Sequence, residues 1–216
     1  MQRKAENMSK NPVSNSVIRR LPRYYRFLGE LEKHGTVRIS SRELSEKMGL
    51  TASQIRQDFN CFGGFGQQGY GYNVSELRSK IGNILGVNTG NPAILIGAGN
   101  LGRAIASHMD FNERGFRLIG IFDSNPNLAG SMIGELAVRN SLELEQFCIE
   151  NSPVAAVLCI PKESAAEIAV RLESYGIRAF WNFSHYDLRA DHSDIIVENV
   201  HLGDSLMTLS YGLNSK

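Results

Sequence analysis

The 216-residue sequence contains few of the features that mark exported or membrane-embedded proteins. It has no apolar run of about 18 residues or more, and no apolar stretch near its start suits a signal peptide. Its three cysteines, Cys61, Cys148 and Cys159, show neither C-x-x-C spacing nor a zinc-like arrangement with histidine. We therefore expect a cytoplasmic protein with reduced thiols, no metal site and no membrane partner.

Charge is nearly balanced over the whole chain but is distributed unevenly along it. The formal net charge is +1, yet residues 1–86 hold 14 Lys and Arg against 7 Asp and Glu, while residues 87–216 hold 9 against 15. A basic half joined to an acidic half indicates two domains. The positive excess predicts nucleic-acid binding by the first half, although a solvated basic surface would have the same composition.

The first half contains the pattern of a helix-turn-helix. Apolar residues at helical spacing predict a first helix over residues 16–33. Ser40-Ser41-Arg42-Glu43 and Thr51-Ala52-Ser53-Gln54 each have the spacing of a capping box, and Gly49 ends the helix between them. Two short helices around a tight glycine turn are typical of a helix-turn-helix, which is also found in proteins that never bind DNA.

The third predicted helix, residues 52–62, would turn Ile55, Phe59 and Phe62 inward and leave a polar face outside. Arginine can bind guanine, and glutamine or asparagine can bind adenine, in the major groove, but such a face could also be merely solvated. The glycine-dense residues 63–72 predict a wing or, alternatively, a flexible linker. The residues that we predict to contact DNA are Ser53, Gln54, Arg56, Gln57, Asn60, Gln67, Gln68, Tyr70 and Tyr72.

The second half contains a glycine motif in the setting of a dinucleotide site. The apolar run at residues 93–96 predicts a buried parallel strand, and it leads directly into Gly97-Ala98-Gly99-Asn100-Leu101-Gly102, which is G-x-G-x-x-G. A second predicted strand ends at Asp123, whose carboxylate would bind ribose hydroxyls and repel a 2′-phosphate. We therefore predict a Rossmann fold that binds NAD(H) rather than NADP(H).

Further strands and helices alternate after this motif, as in a doubly wound sheet. Ligands of such sheets bind beyond the carboxyl ends of the strands, so Ile160, Pro161, Asn182 and Phe183 are predicted near the nicotinamide. Simple strand termination is the alternative explanation for these residues, and for Pro161 it is nearly as good.

The last predicted helix, residues 204–213, needs a partner surface for its apolar stripe, which is either its own domain or a second subunit. The stripe consists of Leu202, Leu206, Leu209 and Leu213. The predicted fold class is α/β, in four segments: residues 1–15 form a disordered tail, 16–86 a winged-helix domain, 87–200 a Rossmann domain and 201–216 a C-terminal dimerisation helix.

Over residues 16–213 the chain resembles the family of redox-sensing transcriptional repressors called Rex. The resemblance rests on the segments 20–27, 53–59, 69–74, 97–102 and 198–200, whose sequences are RLPRYYRF, SQIRQDF, GYGYNV, GAGNLG and ENV. It implies a homodimer with an exchanged C-terminal helix that binds a palindromic operator when NADH is scarce. It also implies that NADH closes the two Rossmann domains together and releases the DNA.

Several positions depart from the family pattern. Gln57 and the pair Gln67-Gln68 stand where relatives usually carry basic residues, which predicts weaker DNA binding and a shallower dependence on salt. His201 replaces an aspartate that in relatives can pair with an arginine at the position of Arg26, and His108 replaces a tyrosine. We therefore expect relaxed or altered redox control. The interdomain and dimer residues that we predict are Arg26, His108, His201, Leu202, Leu206 and Leu209.

Two other functions fit parts of the sequence. An NAD-dependent oxidoreductase with an accessory N-terminal domain would need a substrate pocket and an acid or base, but no separate substrate domain is visible. His185 is the only histidine near the expected nicotinamide end, and we predict no catalytic residue. The other alternative is a repressor whose Rossmann domain has lost its ligand and serves only for dimerisation.

Overall fold

The structure is a computed structural model that describes residues 13–63, 70–190 and 195–215. The chain divides into two compact units, Met1–Gly86 and Val87–Lys216, which are described separately. The predicted disordered tail lies outside the described residues except for its last three, and the first helix already includes Asn15.

The N-terminal unit is a helical domain with a two-stranded antiparallel ribbon. Its elements are α1 (Asn15–Lys33), β1 (Arg38–Ile39), α2 (Ser41–Met48), α3 (Ala52–Asn60), β2 (Tyr72–Asn73) and α4 (Val74–Leu85). In the ribbon, Arg38 lies opposite Asn73 and Ile39 opposite Tyr72. A helix-turn-helix followed by a strand that returns to pair beside it confirms the predicted winged-helix type of domain.

The turn between α2 and α3 is fixed by caps that the sequence predicted. Ser40 and Glu43 form the reciprocal capping box at the start of α2, and Gly49 ends that helix in the left-handed conformation with φ 64°. At the start of α3, the hydroxyl of Thr51 accepts from the backbone N–H of Gln54, 3.1 Å away. The second predicted box is thus only half formed, because the side chain of Gln54 binds elsewhere.

The helices of this unit meet in a single apolar core. On α1, Leu21, Tyr24 and Leu28 recur at spacings of three and four residues and are buried. On α3, Ile55 and Phe59 turn inward as predicted. Each such side chain contributes about 1.5 to 3 kcal/mol on burial. Because these inward side chains hold α3 to the core, the side chains on its outer face are not needed for packing. The other buried members are Ile39, Leu44, Met48, Val74, Leu77 and Ile81.

The C-terminal unit is built on a seven-stranded sheet within the described residues. Its elements are β3 (Asn91–Ile96), α5 (Asn100–His108), β4 (Phe116–Asp123), β5 (Met132–Ile133), β6 (Leu136–Asn140), α6 (Leu144–Asn151), β7 (Ala155–Leu158), α7 (Lys162–Ser174), β8 (Ala179–Asn182), β9 (Ile196–Asn199) and α8 (Leu202–Asn214). The strand order is β5-β6-β4-β3-β7-β8-β9, and the pairing is parallel except between β5 and β6. From β6 to β9 this is the doubly wound order of a Rossmann domain, as predicted.

The two faces of the sheet are covered unequally. One face packs under α6 and α7, through residues such as Phe147 and Leu172. The other packs under α5 over β3 and β4. The short 3-10 turn Leu188–Ala190, between β8 and β9, packs with α7 on the first face. On the α5 face, an apolar groove of about 280 Å³ lies over β7, β8 and β9. Its lining includes Ala93, Phe111, Phe116, Ala155, Val157, Ala179, Trp181 and Ile196.

Two of the differences between the observed and the predicted elements concern the glycine motif and the sheet. Helix α5 begins at Asn100, inside the glycine motif, rather than after it, because the first turn of the helix is made by the motif itself. Strands β5 and β6 were not predicted, since Met132–Ile133 is too short and Leu136–Asn140 too polar to carry a strand pattern. Strand β5 is an edge strand of the sheet, and β6 lies next to it.

Helix α8 buries none of its described residues. Leu202, Leu206 and Leu209 are 60%, 68% and 60% exposed, and Leu213 is 73% exposed. The predicted alternative in which this helix packs on its own domain is therefore wrong for a single chain. None of the described helices combines the length and the apolar character that crossing a membrane requires.

Candidate functional site

The glycine motif forms the turn from β3 to α5 at the carboxyl end of the central strand. Gly97 has φ 97°, and a Cβ on it would collide with the carbonyl oxygen of Cys159. A Cβ on Gly102 would collide with the carbonyl oxygen of Gly97. Around Gly99, in contrast, an added Cβ would meet nothing within 4 Å. The fold itself requires the first and third glycines, whereas the second borders open space.

The N-terminus of α5 faces the same space. Gly99 is its N-cap residue, and no side chain bonds to its first turn within the described residues. Asn100 and Leu101 are exposed. Backbone N–H groups in the first turn of a helix lack intrahelical acceptors and favour an anionic ligand such as a phosphate.

Asp123 lies at the end of β4, beside the glycine turn. Its Oδ2 accepts a hydrogen bond from the backbone N–H of Ala98 at 2.6 Å, and its Oδ1 accepts from the backbone N–H of Asn125 at 2.8 Å. The carboxylate therefore ties two loops together, a role that sequence reasoning did not assign to it. Each carboxylate oxygen has two acceptor positions, so Asp123 can still accept from a sugar hydroxyl.

Strand β7, which neighbours β3, brings Ile160 to the glycine turn. The Cγ2 atom of Ile160 lies 3.0 Å from the position that a Cβ on Gly97 would take. Pro161 follows it, is exposed and begins α7 as the N-cap residue. The structure thus brings Ile160 together with the motif, and it places Pro161 at the start of α7 rather than at the end of β7, which is Leu158.

Asn182 and Phe183, at the end of β8, are held by their own surroundings. The side chain of Asn182 is buried, and its Nδ2 donates to the carbonyl of Tyr186 at 2.7 Å and to Oδ1 of Asn199 at 2.9 Å. Its Oδ1 accepts from both the backbone and the hydroxyl of Ser184. Phe183 packs edge to face on Trp181, with ring centroids 4.8 Å apart. Asn182 therefore shapes the loop after β8 through bonds that leave its amide no free donor.

His185 lies in this loop and contacts His201, the N-cap residue of α8. Its φ of 61° is unusual for a residue with a side chain. The two Nδ1 atoms are 3.1 Å apart while the ring centroids are 5.3 Å apart, so the rings meet edge to edge rather than face to face. One Nδ1 must donate and the other accept, which requires at least one neutral ring. The pair ties the loop to the start of α8.

The two cysteines of the C-terminal unit show no sign of forming a reactive thiolate. Burial raises the pKa of Cys148 to about 11 and that of Cys159 to about 12, so both stay protonated. Among the described residues, no group of three His, Cys, Asp or Glu side chains could hold a metal ion.

On the N-terminal unit, α3 presents the predicted polar face. Ser53, Arg56, Gln57 and Asn60 are all exposed, opposite the buried Ile55 and Phe59. Nη1 of Arg56 donates to the hydroxyl of Ser41 at 3.1 Å, an exposed bond that water or a phosphate could replace. The arrangement is suited to contacts in a DNA groove.

A buried carboxylate that sequence reasoning missed connects α3 to α1. Asp58 is 1% exposed. Its two oxygens accept from Nε and Nη2 of Arg20, both at 2.7 Å, and its Oδ2 also accepts from the hydroxyl of Tyr24 at 2.7 Å. Its Oδ1 accepts from Nε2 of Gln54 at 3.1 Å. Gln54, a predicted DNA contact, is thus half-buried and already uses one amide hydrogen.

These bonds control the protonation of the cluster. Burial alone would raise the pKa of Asp58, but hydrogen bonds from Arg20, Tyr24 and Gln54 outweigh it and lower that pKa. Burial and the hydrogen bond to Asp58 raise the pKa of Tyr24. The hydrogen bond between Arg20 and Asp58 raises the pKa of Arg20. Asp58 is therefore an anion at neutral pH.

The predicted wing is described only at its ends. Gln67 and Gln68 lie outside the described residues. Tyr70 is 71% exposed, as a DNA contact should be. Tyr72 is instead half-buried, and its ring packs edge to face on Phe59 at 5.2 Å, with burial raising its pKa. Its ring thus packs on the core, and its contact with DNA stays a prediction for the exposed part of the side chain.

Two family models match the chain, one in each unit. The model described as "Putative DNA-binding protein N-terminus" matches residues 12–60, and the model described as "CoA binding domain" matches residues 88–186. With the geometry above, these matches define a class of protein: a DNA-binding regulator whose second domain has a nucleotide-type Rossmann fold.

Full-length relatives narrow this class to one family. The redox-sensing transcriptional repressor Rex of Thermoanaerobacter pseudethanolicus is 56% identical over 207 residues, which cover 96% of this chain and 92% of the relative. That of Clostridium perfringens is 51% identical over 205 residues, covering 95% and 96%. The chain belongs to the Rex family of redox-sensing transcriptional repressors. It is a regulator, so the oxidoreductase alternative is wrong.

Solved structures agree with this assignment. A crystal structure of RSP in complex with beta-NAD+ and operator DNA matches with a TM-score of 0.87 and 56% identity, covering 95% of this chain and 94% of that chain. RSP in complex with beta-NADH matches with a TM-score of 0.86 and 53% identity, covering 95% and 96%.

Proposed function

We propose that the chain represses transcription by binding a palindromic operator as a homodimer, and that NADH bound at the glycine turn releases it. The proposal is supported by the complexes of the related RSP with beta-NAD+ and operator DNA and with beta-NADH. Within this chain, the observation that carries it is the open space at Gly99, between two glycines that the fold itself requires.

The ligand of the glycine turn would be NAD(H). Its pyrophosphate would lie against Gly99 and the first turn of α5, and its adenosine ribose against Asp123. The carboxylate disfavours a further phosphate on that ribose, which NADP(H) carries at the 2′ position and coenzyme A at the 3′ position. The residues proposed to line the site are Gly97, Ala98, Gly99, Asn100, Leu101, Gly102, Asp123, Ile160, Pro161 and Phe183, with Asn182 shaping the loop.

The DNA-binding surface would be the outer face of α3 together with Tyr70 and the wing. Arg56 is suited to the O6 and N7 atoms of guanine, and Gln57 and Asn60 to adenine. Gln57, unlike a lysine, adds no counterion release, so the salt dependence should be shallower by about one phosphate contact at that position.

The dimer would form through α8. This helix exposes a leucine stripe, and the sheet over β7 to β9 has an uncovered apolar groove. A single chain leaves both surfaces in water, whereas a second copy can cover the groove with its own α8. An exchanged helix accounts for both surfaces at once.

Dimerisation connects the ligand to the DNA. A dimer on B-DNA must match the spacing of two half-sites, so any rotation of one subunit against the other weakens both contacts together. NADH releases the operator if it binds one arrangement of the subunits more tightly than the other.

The histidines at positions that depart from the family pattern would affect how NADH binding is coupled to DNA release. We propose that His201, with Arg26 and His108, makes the response to the NADH to NAD+ ratio weaker than in relatives that carry the usual aspartate and tyrosine. His201 forms a hydrogen bond with His185 of the same chain. An aspartate at position 201 would place a negative charge there instead. Release by NADH and retention with NAD+ as strong as in ordinary members would refute this part.

The proposed function is tested by fluorescence anisotropy on a palindromic operator, titrated with NADH, NAD+, NADPH and coenzyme A. NADH should release the DNA, and NADPH and coenzyme A should not. Gly99→Ala should keep the melting temperature and the DNA affinity but lose the NADH response, because its Cβ meets no protein atom. Ala104→Ser, at an exposed position of the same helix, is the matched control.

Two outcomes of this titration would contradict the proposal. A Gly99→Ala protein that still responds to NADH would show that no ligand approaches this turn. Wild-type protein that binds the operator but shows no heat with NADH by calorimetry would favour a Rossmann domain that serves only for dimerisation.

The dimer is tested separately by sedimentation. Leu206→Asp should shift the protein toward monomer, since it places a charge in the apolar stripe of α8. Thr208→Asp, on the opposite side of the same helix, should leave the assembly intact. Equal sedimentation of the two variants would exclude α8 as the interface.

We also propose that the protein acts in the cytoplasm. The relatives named above come from bacteria, whose operator DNA lies in that compartment.

A further inference from the structure

The Asp58 cluster does more than a buried ion pair needs to do for stability. Taking a carboxylate out of water is costly, and replacing buried pairs by apolar residues often stabilises a protein. The apolar contacts of Ile55 and Phe59 already hold α3 to the core, but such contacts have no direction. Hydrogen bonds do have direction, so the cluster can fix the rotation of α3 about its own axis.

The bonds of Asp58 join elements that are far apart in the chain. Arg20 and Tyr24 belong to α1 and precede Asp58 by 38 and 34 residues, whereas Gln54 lies one helical turn before it on α3. Arg20 binds through two parallel bonds, which orient the carboxylate plane as well as its position. Residues of α1 thus fix the plane of the Asp58 carboxylate, and this carboxylate in turn orients the amide of Gln54 on α3.

That side chain, Gln54, is the third residue of α3, in the part of a recognition helix that approaches base edges. An amide on a protein surface can rotate by half a turn and exchange its oxygen for its nitrogen. An ionised carboxylate only accepts hydrogen bonds, so Nε2 of Gln54 must face Asp58 and Oε1 must face away. Asp58 therefore selects one of the two amide orientations.

We propose that Asp58 is a positioning residue for operator recognition, which holds Gln54 with its carbonyl oxygen toward the major groove so that it selects a base with an exocyclic amine. Adenine N6 and cytosine N4 are the amines available there, while guanine and thymine offer only acceptors at that edge. The inference rests on the proposed role of α3 in DNA binding.

The test compares base preference rather than affinity alone. The duplex is the operator that the wild-type chain selects from a randomised palindromic library, together with each single-base substitution in one half-site. Wild type should show one position where adenine or cytosine is preferred, by about 10-fold or more. Asp58→Asn should bring that ratio close to one and leave the ratios at other positions unchanged, because its own amide can now face Oε1 of Gln54.

Charge provides a second readout. Asp58→Asn removes a negative charge from a DNA-binding domain, which by itself should strengthen binding. Glu46→Gln removes the same charge from an exposed surface pair with Arg42, and it should keep the base preference. A loss of preference confined to the Asp58 variant supports positioning. An equal loss of affinity for all sequences, with every base ratio kept, would mean a purely structural role and overturn the inference.

A variant that leaves the core intact keeps the inference testable if Asp58→Asn does not fold. Gln54→Ala truncates a half-buried side chain at the surface and should abolish the same base preference. Adding Asp58→Asn to Gln54→Ala, where it folds, should change the preference no further. If Gln54→Ala retains the wild-type profile while wild type binds its operator, this inference alone fails. If wild type selects no operator, the proposed function fails as well.

Discussion

Asp58 and Asp123 are both carboxylates that connect separate parts of their unit, but they do so with different donors. Asp58 is buried and accepts from the side chains of two helices. Asp123 is half-buried and accepts from backbone N–H groups in adjacent loops. In the helical unit, Asp58 thus adds directed bonds to the apolar contacts that already join α1 and α3. The Rossmann unit is set by its strands and glycines, so Asp123 can serve a ligand.

The largest expected difference between the Asp58 and Asp123 variants is in the free energy of unfolding. Asp58→Ala leaves the buried hydroxyl of Tyr24 and the guanidinium of Arg20, which is 25% exposed, without their acceptor, and should lower the free energy of unfolding by about 3 kcal/mol. Urea unfolding followed by circular dichroism measures the loss. Fluorescence of Trp181, the only tryptophan and part of the C-terminal unit, serves as an internal reference that should not move.

Asp123→Ala is the control for that experiment. It removes one part-buried and one exposed bond to backbone N–H groups, so we expect a smaller loss of about 1 to 2 kcal/mol. Equal destabilisation by the two variants would remove the distinction between side-chain and backbone donors.

For NADH affinity, in contrast, a change at Asp123 should have a larger effect than a change at Asp58. Asp123→Ala should weaken NADH binding by about 1.5 to 3 kcal/mol, the usual contribution of a charged hydrogen bond. Its affinity for the operator without nucleotide should be unchanged. Calorimetry with NADH and anisotropy with DNA measure the two quantities. An Asp123 variant that binds NADH as wild type does would leave this carboxylate with only its loop-binding role.

Acid should remove from the contribution of Asp58 about 1.4 kcal/mol for each pH unit by which its folded pKa lies below its unfolded pKa. The folded pKa of Asp58 lies below its ordinary value, so its contribution is complete above the unfolded pKa of about 3.9 and is lost as the pH falls through the folded pKa. The difference in unfolding free energy between wild type and Asp58→Asn should therefore shrink below about pH 4. A difference that stays constant down to pH 2 would contradict the assigned pKa direction.

The smallest expected effect is that of an exposed ion pair on the same unit. Arg42 and Glu46 lie 3.1 Å apart, with side chains 86% and 64% exposed. Arg42→Gln should change the unfolding free energy by no more than about 0.5 kcal/mol. A larger loss in the same urea experiment would show that burial is not what separates Asp58 from surface carboxylates.

The same contrast explains what sequence could predict. The position of Asp123 follows from local rules, since the carboxyl end of the second strand and the glycine turn after the first meet by topology. Asp58 could not be assigned because its partners on α1 lie more than thirty residues away. The available signal was its position on the same face of α3 as Ile55 and Phe59, where a carboxylate needs a buried cation.

Other differences have similar causes. The glycine motif, the parallel sheet and the helix-turn-helix depend on periodicity and on backbone conformation, and these were predictable. The outer strand β6 was missed because its pairing depends on β4 rather than on its own composition. Tyr72 lies in the ribbon as the glycine-dense segment predicted, but its packing on Phe59 depends on a contact with α3 that the sequence pattern does not give.

The open space beside Gly99 also bears on how such a regulator can evolve. A methyl group there touches no atom of the protein, so a mutation from glycine to alanine, a single nucleotide change, would be invisible to folding and to operator binding. Under the proposed function, such a mutant is a permanent repressor that no longer responds to metabolism. Sensing in this chain can therefore be lost in one step without any loss of the protein itself.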